Sequence, residues 1–366
     1  MSRAGGFQRG LPAALVVLVA CGPDQPAPGA TGQRAGPPAD GGTLTGAGAT
    51  FPNPLYSKWF DAYNKKTGLR INYQSIGSGG GIRQFIEGTV DFGASDGPMT
   101  DEQIRQIQGN VLHVPTVLGA VVLTWNLPGL ADRRLRFDGP TIAGIFLGKV
   151  TKWNDQRLAA LNPRLTLPST DIIVVHRSDG SGTSYIFTDY LSKVSSEWKE
   201  KVGTSTSVNW PAGLGGKGNE GVTQQVKQTE GAIGYVELIY AEANKLPYAE
   251  VKNAGGQFVK PSLESVTQAA ASAKFEKNTD FRVSITNAPG QGAYPIASFT
   301  WLLVRPDMKD VTKAKALKGF LEWMVTPEAQ TMASQLIYAP LPKEVVELVK
   351  ERVKTLKAGG KALTGA

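Results

Sequence analysis

Residues 177–183 read Arg-Ser-Asp-Gly-Ser-Gly-Thr, between the apolar, β-branched run Ile172–Val175 and the amphipathic pattern Tyr185–Val194. A buried strand therefore gives way, through a loop of small residues, to the start of a helix. That unit recurs. Gly46-Ala47-Gly48-Ala49-Thr50-Phe51 precedes a helix whose apolar face is Leu55, Trp59 and Tyr63. Gly77-Ser78-Gly79-Gly80-Gly81 follows the alternating strand Arg70–Gln74 and opens the helix of Ile82, Phe85 and Ile86. Strands alternating with helices predict an α/β fold with mostly parallel sheets.

Working outward, Val90–Ala94 reads as a short strand, and Thr100 with Gln103 as a capping box opening the helix of Ile104 and Ile107. Ile142–Leu147 is helical, and Gly231–Val236 is a strand followed by a helix. Val311–Met332 and Glu344–Val353 have helical periodicity. Two long β-rich stretches, Val111–Thr124 and Tyr294–Val304, stand where a chain crosses between two lobes and returns. They predict a discontinuous first lobe, 43–122 with 297–366, and a central second lobe, 123–296. No internal repeat is evident.

The three loops share a chemistry. A helix start carries unpaired N–H groups and about half a positive charge, glycine admits a ligand to the backbone, and Ser or Thr adds a hydroxyl donor. One such terminus contributes only about 0.3–2 kcal/mol. A micromolar complex needs about 8 kcal/mol, so several must converge on one tetrahedral oxyanion. Taken singly, each loop reads equally as a helix cap and turn. Arg177 adds a guanidinium that forks onto two oxygens, and Asp179 stands two residues on, able to brace it; as a surface ion pair the same two residues contribute little. Asp96, in Asp91-Phe92-Gly93-Ala94-Ser95-Asp96, repels an anion unless that anion carries a proton. Phosphate near neutral pH carries one, its second pKa being about 6 by analogy with a phosphomonoester. Sulfate carries none. Asp96 therefore favours a protonated oxyanion; its alternative is a turn residue or cap, for which Thr100 is better placed.

The 366 residues suffice for one large core or two smaller ones, and 41% hydrophobic with 19% charged residues is ordinary globular composition. The net charge of +8 is spread along the chain; it helps draw in an anion and is no sign of nucleic-acid binding. Arg3 and Arg9 precede the apolar run Leu11–Ala20, too short to span a bilayer, which takes about 20 residues. The pattern predicts a secretory signal over 1–20. Leu18-Val19-Ala20-Cys21 resembles the lipobox of bacterial lipoproteins, which makes Cys21 the expected lipidation site and new N-terminus. It is the only cysteine, so none remains for a disulfide, metal or catalysis. The Gly- and Pro-rich stretch 21–42 reads as a tether.

Enzymatic readings fail on the residues. Ile76 and Asp179 occupy the places where the first glycine of a nucleophile elbow would precede Ser78 and Ser181. Ser196-Glu197-Trp198-Lys199 and Lys66-Thr67-Gly68 stand in the wrong order for a penicillin-binding enzyme. In Gly213–Gly218, Pro211 replaces the leading glycine of a P-loop and Gly218 its Ser or Thr. His113 sits in an apolar, strand-like run and reads as packed, and no His/Cys/carboxylate cluster points to a metal.

Thr45–Pro52, Asp91–Asp96 and Asp179–Ser184, with Gly213-Leu214-Gly215-Gly216-Lys217-Gly218-Asn219 and Gly231-Ala232-Ile233-Gly234-Tyr235-Val236, resemble the signature segments of the periplasmic phosphate-binding proteins of phosphate-specific ABC transporters. The resemblance runs from about Leu44 to Pro342. It implies a two-lobed periplasmic-binding-protein fold of type II, with the ligand cleft between the lobes. It also implies a monomer without cofactor or metal that binds inorganic phosphate, meets permease subunits, and touches the membrane only through its lipid, in the periplasm or at the cell surface. By the resemblance the ligand is held by Thr50, the Phe51 amide, Ser78, Arg177, Ser181, Gly182 and Thr183. Asp96 accepts the phosphate proton and Asp179 braces Arg177. His176 before Arg177 and Gly97 after Asp96 depart from the pattern without removing a contact. A binder of another oxyanion, and a phosphate sensor or surface protein without transport, remain alternatives.

Overall fold

The computed structural model describes residues 42–363 except 108–109, 131–132 and 276–279. The expected signal segment, Cys21 and the expected tether up to residue 41 lie outside the described residues. Among those described, no helix is long and apolar enough to cross a membrane.

Eight strands form the main sheet: β1 Thr43–Gly48, β2 Arg70–Ser75, β3 Phe92–Ser95, β4 Leu112–Trp125, β5 Ile173–Arg177, β6 Leu214–Gly216, β7 Ala232–Glu237 and β8 Ala297–Val304. Their spatial order is β2-β1-β3-β8-β4-β7-β5-β6. The expectation of mostly parallel strands holds at both ends, where β1 pairs in parallel with β2 and β3, and β5 with β6 and β7. It fails at the centre. There β8 runs antiparallel to β3 and β4, and β4 antiparallel to β7. Strand–helix alternation carries no sign of this, because β8 arrives from a distant part of the chain.

The centre explains the long apolar run. Residues 112–120 of β4 pair with β8, and residues 121–125 pair with β7. One strand thus serves two halves of the sheet, and all but its first residue are buried. The β4–β8 register shifts between Thr300 and Trp301, opposite Pro115. Proline has no N–H for the ladder, so a bulge there is the expected accommodation.

Two other expectations need correction. The Thr100 capping box forms with both reciprocal bonds, Gln103 N to Thr100 Oγ1 at 3.2 Å and Thr100 N to Gln103 Oε1 at 2.9 Å. Its helix, Asp101–Arg105, stops before Ile107, which packs instead in a small cluster with Ile82 and Phe85. The pattern over 311–332 is two helices, Val311–Met324 and Pro327–Gln335. Proline cannot continue a helix but suits a first turn, and Thr326 caps the second helix through Ala329 N.

Five tryptophans, Trp59, Trp125, Trp153, Trp198 and Trp301, are fully buried. Four donate their indole N–H to backbone carbonyls, as burial of that group requires.

Candidate functional site

The predicted ligand-binding residues and Asp179 come to one place. Thr50 and Phe51 follow β1, Ser78 opens the helix after β2, and Asp96 follows β3. Arg177 ends β5, and Ser181 caps the helix Gly182–Val194 that follows. These are the carboxyl ends of parallel strands from both halves of the sheet, where open α/β sheets place their ligands. Thr50, Phe51, Ser78, Asp96, Arg177, Ser181 and Thr183 are each at most 3% exposed. Helices Asn53–Thr67, Ser78–Glu87, Gly182–Val194 and Gly218–Gln228 all start here, so their positive ends add.

The two halves meet closely. Gly79 N donates to Gly180 O at 2.8 Å, and Asn219 N to Thr50 Oγ1 at 3.2 Å. A Cβ on Gly182 would lie 2.5 Å from both Asp96 Oδ2 and Ser78 Oγ. Only glycine allows that approach.

Arg177 is braced as expected. Nε donates to Asp179 Oδ1 at 2.8 Å, Nη2 to Asp179 Oδ2 at 2.5 Å and Nη1 to Thr183 Oγ1 at 3.3 Å. A guanidinium has five N–H donors, so two remain, one on each terminal nitrogen. Asp179 also accepts from Gly218 N at 3.0 Å. Burial works against its charge, but the Arg177 guanidinium outweighs that and holds the carboxyl below its usual range.

Asp96 is the opposite case. Burial pushes its pKa up to about 7, against the pull of the Thr300 hydroxyl, the Arg177 charge and Ser78. Thr300 Oγ1 donates to Oδ1 at 2.7 Å, and Oδ2 lies beside Gly182 and Ser78. Ser78 Oγ accepts from Asp96 N at 3.2 Å.

The backbone adds donors. The amides of Thr50, Phe51, Gly182 and Thr183 have no hydrogen-bond partner among the described residues, although these residues are buried. An unpaired buried amide costs about 1–3 kcal/mol, and almost every buried N–H finds a partner. Four together, beside two guanidinium protons with no acceptor among the described residues and one carboxylate oxygen, make a donor set suited to a small anion that keeps a hydrogen.

Sequence reasoning assigned no role to several residues that build this site. Asn219 bridges Thr50 Oγ1 and Thr183 Oγ1 through Nδ2, at 2.7 and 3.1 Å. Thr300 holds Asp96 from β8. Tyr240 and Tyr338 donate to the carbonyls of Thr50 and Phe51, at 2.5 and 2.6 Å. Tyr235 accepts from Arg177 N and bonds Ser184 Oγ. Asn219 ends one glycine-rich signature segment and Tyr235 lies within another, which was the available signal.

The histidines have other partners. His113 Nε2 accepts from Met99 N and its Nδ1 faces Asp280, while His176 stacks on Trp210. Among the described residues no three His, Cys, Asp or Glu side chains are grouped to hold a metal ion.

Residues 33–328 match the model of the PBP superfamily domain. The phosphate-binding protein PstS of Xylella fastidiosa (strain 9a5c) is 48% identical over 307 residues, covering 84% of each chain. The phosphate-binding protein PstS of Haemophilus influenzae is 46% identical over 87% of this chain and 95% of its own. The crystal structure of the phosphate-binding protein of Stenotrophomonas maltophilia has the same fold, with TM-score 0.67 at 22% identity over 85% of this chain and 93% of that one. The fold is therefore the two-lobed periplasmic-binding one, and the chain belongs to the PBP superfamily and, within it, to the family of phosphate-binding proteins PstS.

Proposed function

We propose that this chain captures inorganic phosphate outside the cytoplasmic membrane and delivers it to the permease subunits of an ABC importer. It acts as a monomeric solute-binding protein, needs no cofactor and carries out no reaction. The observation that carries this reading is the buried cluster of unpaired donors around a single carboxylate. Phosphate offers four oxygens to the donors and, at neutral pH, one proton to Asp96. The relatives' shared name supports the same ligand.

In this reading Thr50, Phe51, Ser78, Arg177, Ser181, Gly182 and Thr183 donate to phosphate. Asp96 Oδ2 accepts its proton, and Asp179 fixes the guanidinium. The first lobe is 43–122 with 297–366 and the second 123–296. This division is supported by the partner change of β4 between Ala120 and Val121 and the start of β8 at Ala297. The strands β4 and β8 then form the crossing about which the lobes open and close, and the importer reads the closed form.

Calorimetric titration of the purified protein with phosphate, sulfate and arsenate tests the ligand. Above about pH 7, where Asp96 is ionised, phosphate and arsenate bind tightly and sulfate far more weakly. Sulfate binding as tight as phosphate would assign the site to another oxyanion, and no binding at all would end the reading.

Closure has its own test. Gly182→Ala puts a methyl group against Asp96 and Ser78. Phosphate affinity falls by about tenfold or more, a cost of about 1.4 kcal/mol, while the ligand-free protein melts as before. An unchanged affinity would mean that the lobes need not meet there.

The N-terminal segment belongs to the same reading: a signal over 1–20, lipid on Cys21, and a tether reaching to the domain. Cys21→Ser moves the exported protein from the detergent phase to the aqueous phase. Retention in the detergent phase would contradict lipidation.

A further inference from the structure

We infer that Asn219 is a positioning residue that turns the hydroxyls of Thr50 and Thr183 into obligate donors toward the bound phosphate. The inference rests on the phosphate reading and adds a residue and a role to it.

The amide's orientation follows from its neighbours. Asn219 Oδ1 accepts from Glu237 N at 3.0 Å. A backbone N–H only donates, so the oxygen must face it, and Nδ2 must face the two hydroxyls. Its two protons go to Thr50 Oγ1 at 2.7 Å and Thr183 Oγ1 at 3.1 Å.

The hydroxyls are thereby saturated as acceptors. A threonine oxygen has two lone pairs and one proton. Thr50 Oγ1 accepts from Asn219 Nδ2 and from Asn219 N at 3.2 Å. Thr183 Oγ1 accepts from Asn219 Nδ2 and from Arg177 Nη1 at 3.3 Å. Each has only its proton left to offer, and neither finds an acceptor for it among the described residues. A hydroxyl free to rotate presents either a lone pair or a proton to an anion. Here only the proton is presented. Asn219 itself is fully buried, so no water competes for its bonds.

The same side chain joins elements far apart in sequence. Thr50 follows β1, whereas Asn219 follows β6 and Thr183 follows β5. In the two-lobed division above, the Asn219–Thr50 bonds cross between lobes. They form only on closure, so the Thr50 hydroxyl is oriented at the moment the ligand is enclosed.

A double-mutant cycle on the full-length protein reads this out with inorganic phosphate. Asn219→Ala weakens binding by about tenfold or more, the scale of one hydrogen bond to a charged group. In a Thr50→Val background, where one hydroxyl is gone, the same change costs several-fold less. Equal factors in the two backgrounds would show that Asn219 does not act through Thr50 and would overturn the inference, as would an Asn219→Ala protein of parental affinity. Should either variant fail to fold or bind too weakly to measure, Asn219→Asp decides. It keeps the size and the Oδ1 acceptor but takes the hydroxyl protons for itself. Phosphate binding is lost while the ligand-free melting temperature stays close to the parent's. Binding within about threefold of the parent, a difference of less than 1 kcal/mol, would overturn the inference. A parent protein that binds no phosphate would instead end the reading on which it rests.

Discussion

Arg177→Ala raises the phosphate dissociation constant by about 100-fold or more. The guanidinium has two N–H groups not engaged by any described residue, and a hydrogen bond to a charged group contributes about 1.5–3 kcal/mol. Two such bonds amount to at least about two factors of ten. The side chain is 1% exposed, so its charge is poorly screened and no water replaces it well. Its loss also leaves Asp179 a buried carboxylate without a counterion, 13% exposed, at the mouth of an anion site. Arg177→Lys keeps the charge but not the fork. Its affinity falls between the two, because an ammonium cannot serve Asp179 and phosphate together with fixed geometry. Calorimetry on the three proteins checks this. Parental affinity in Arg177→Ala would remove the guanidinium from the site.

Asp96→Asn collapses the discrimination between phosphate and sulfate by about 100-fold. In the proposed site the carboxylate accepts the phosphate proton, and it would face sulfate with an unprotonated oxygen against an unprotonated oxygen. Asparagine removes that repulsion and supplies an amide donor instead. The elevated pKa adds a pH signature. Burial lifts Asp96 from 3.8 to about 7, so in the parent the side chain carries its own proton below about 7 and can then donate to sulfate. Sulfate affinity therefore falls about tenfold per pH unit above about 7 and levels off below it, as linkage to one proton requires. In Asp96→Asn it is flat with pH.

The sign for stability follows from the same shift. A carboxyl whose folded pKa is raised favours the folded state while protonated. That stability is fully present below about 4 and is lost as pH rises through about 7. Ligand-free Asp96→Asn consequently melts above the parent at pH 8 and close to it at pH 4. Scanning calorimetry at the two pH values distinguishes this from a general gain in packing, which would be equal at both.

Local chemistry is what the chain revealed when read as sequence. The Arg177–Asp179 brace is two residues long, and Ser181, Gly182 and Thr183 are consecutive at one helix start, so their spacing alone places them together. Asp96 was legible because a carboxylate among anion-binding loops demands a reason. What stayed hidden is long-range. Asn219 lies 169 residues from Thr50, Tyr338 287 residues from Phe51, and Thr300 204 residues from Asp96. No local periodicity encodes such pairs; the Thr300–Asp96 pair, for one, exists only once β8 is inserted antiparallel beside β3. The helix break at Pro327 is a different kind of miss. Its signal was local, a Thr-Pro pair inside an apolar pattern, and the periodicity on either side concealed it.

In the proposed site, helix starts from both halves of the sheet, one guanidinium and one carboxylate enclose a single protonated oxyanion. A crystal structure of the full-length protein grown with phosphate tests it most directly. One phosphate is expected, buried, within hydrogen-bond distance of Thr50, the Phe51 amide, Ser78, Arg177 and the Gly182 and Thr183 amides, with one of its oxygens against Asp96 Oδ2. Phosphate bound elsewhere, or bound there with Asp96 turned away from it, would refute that arrangement.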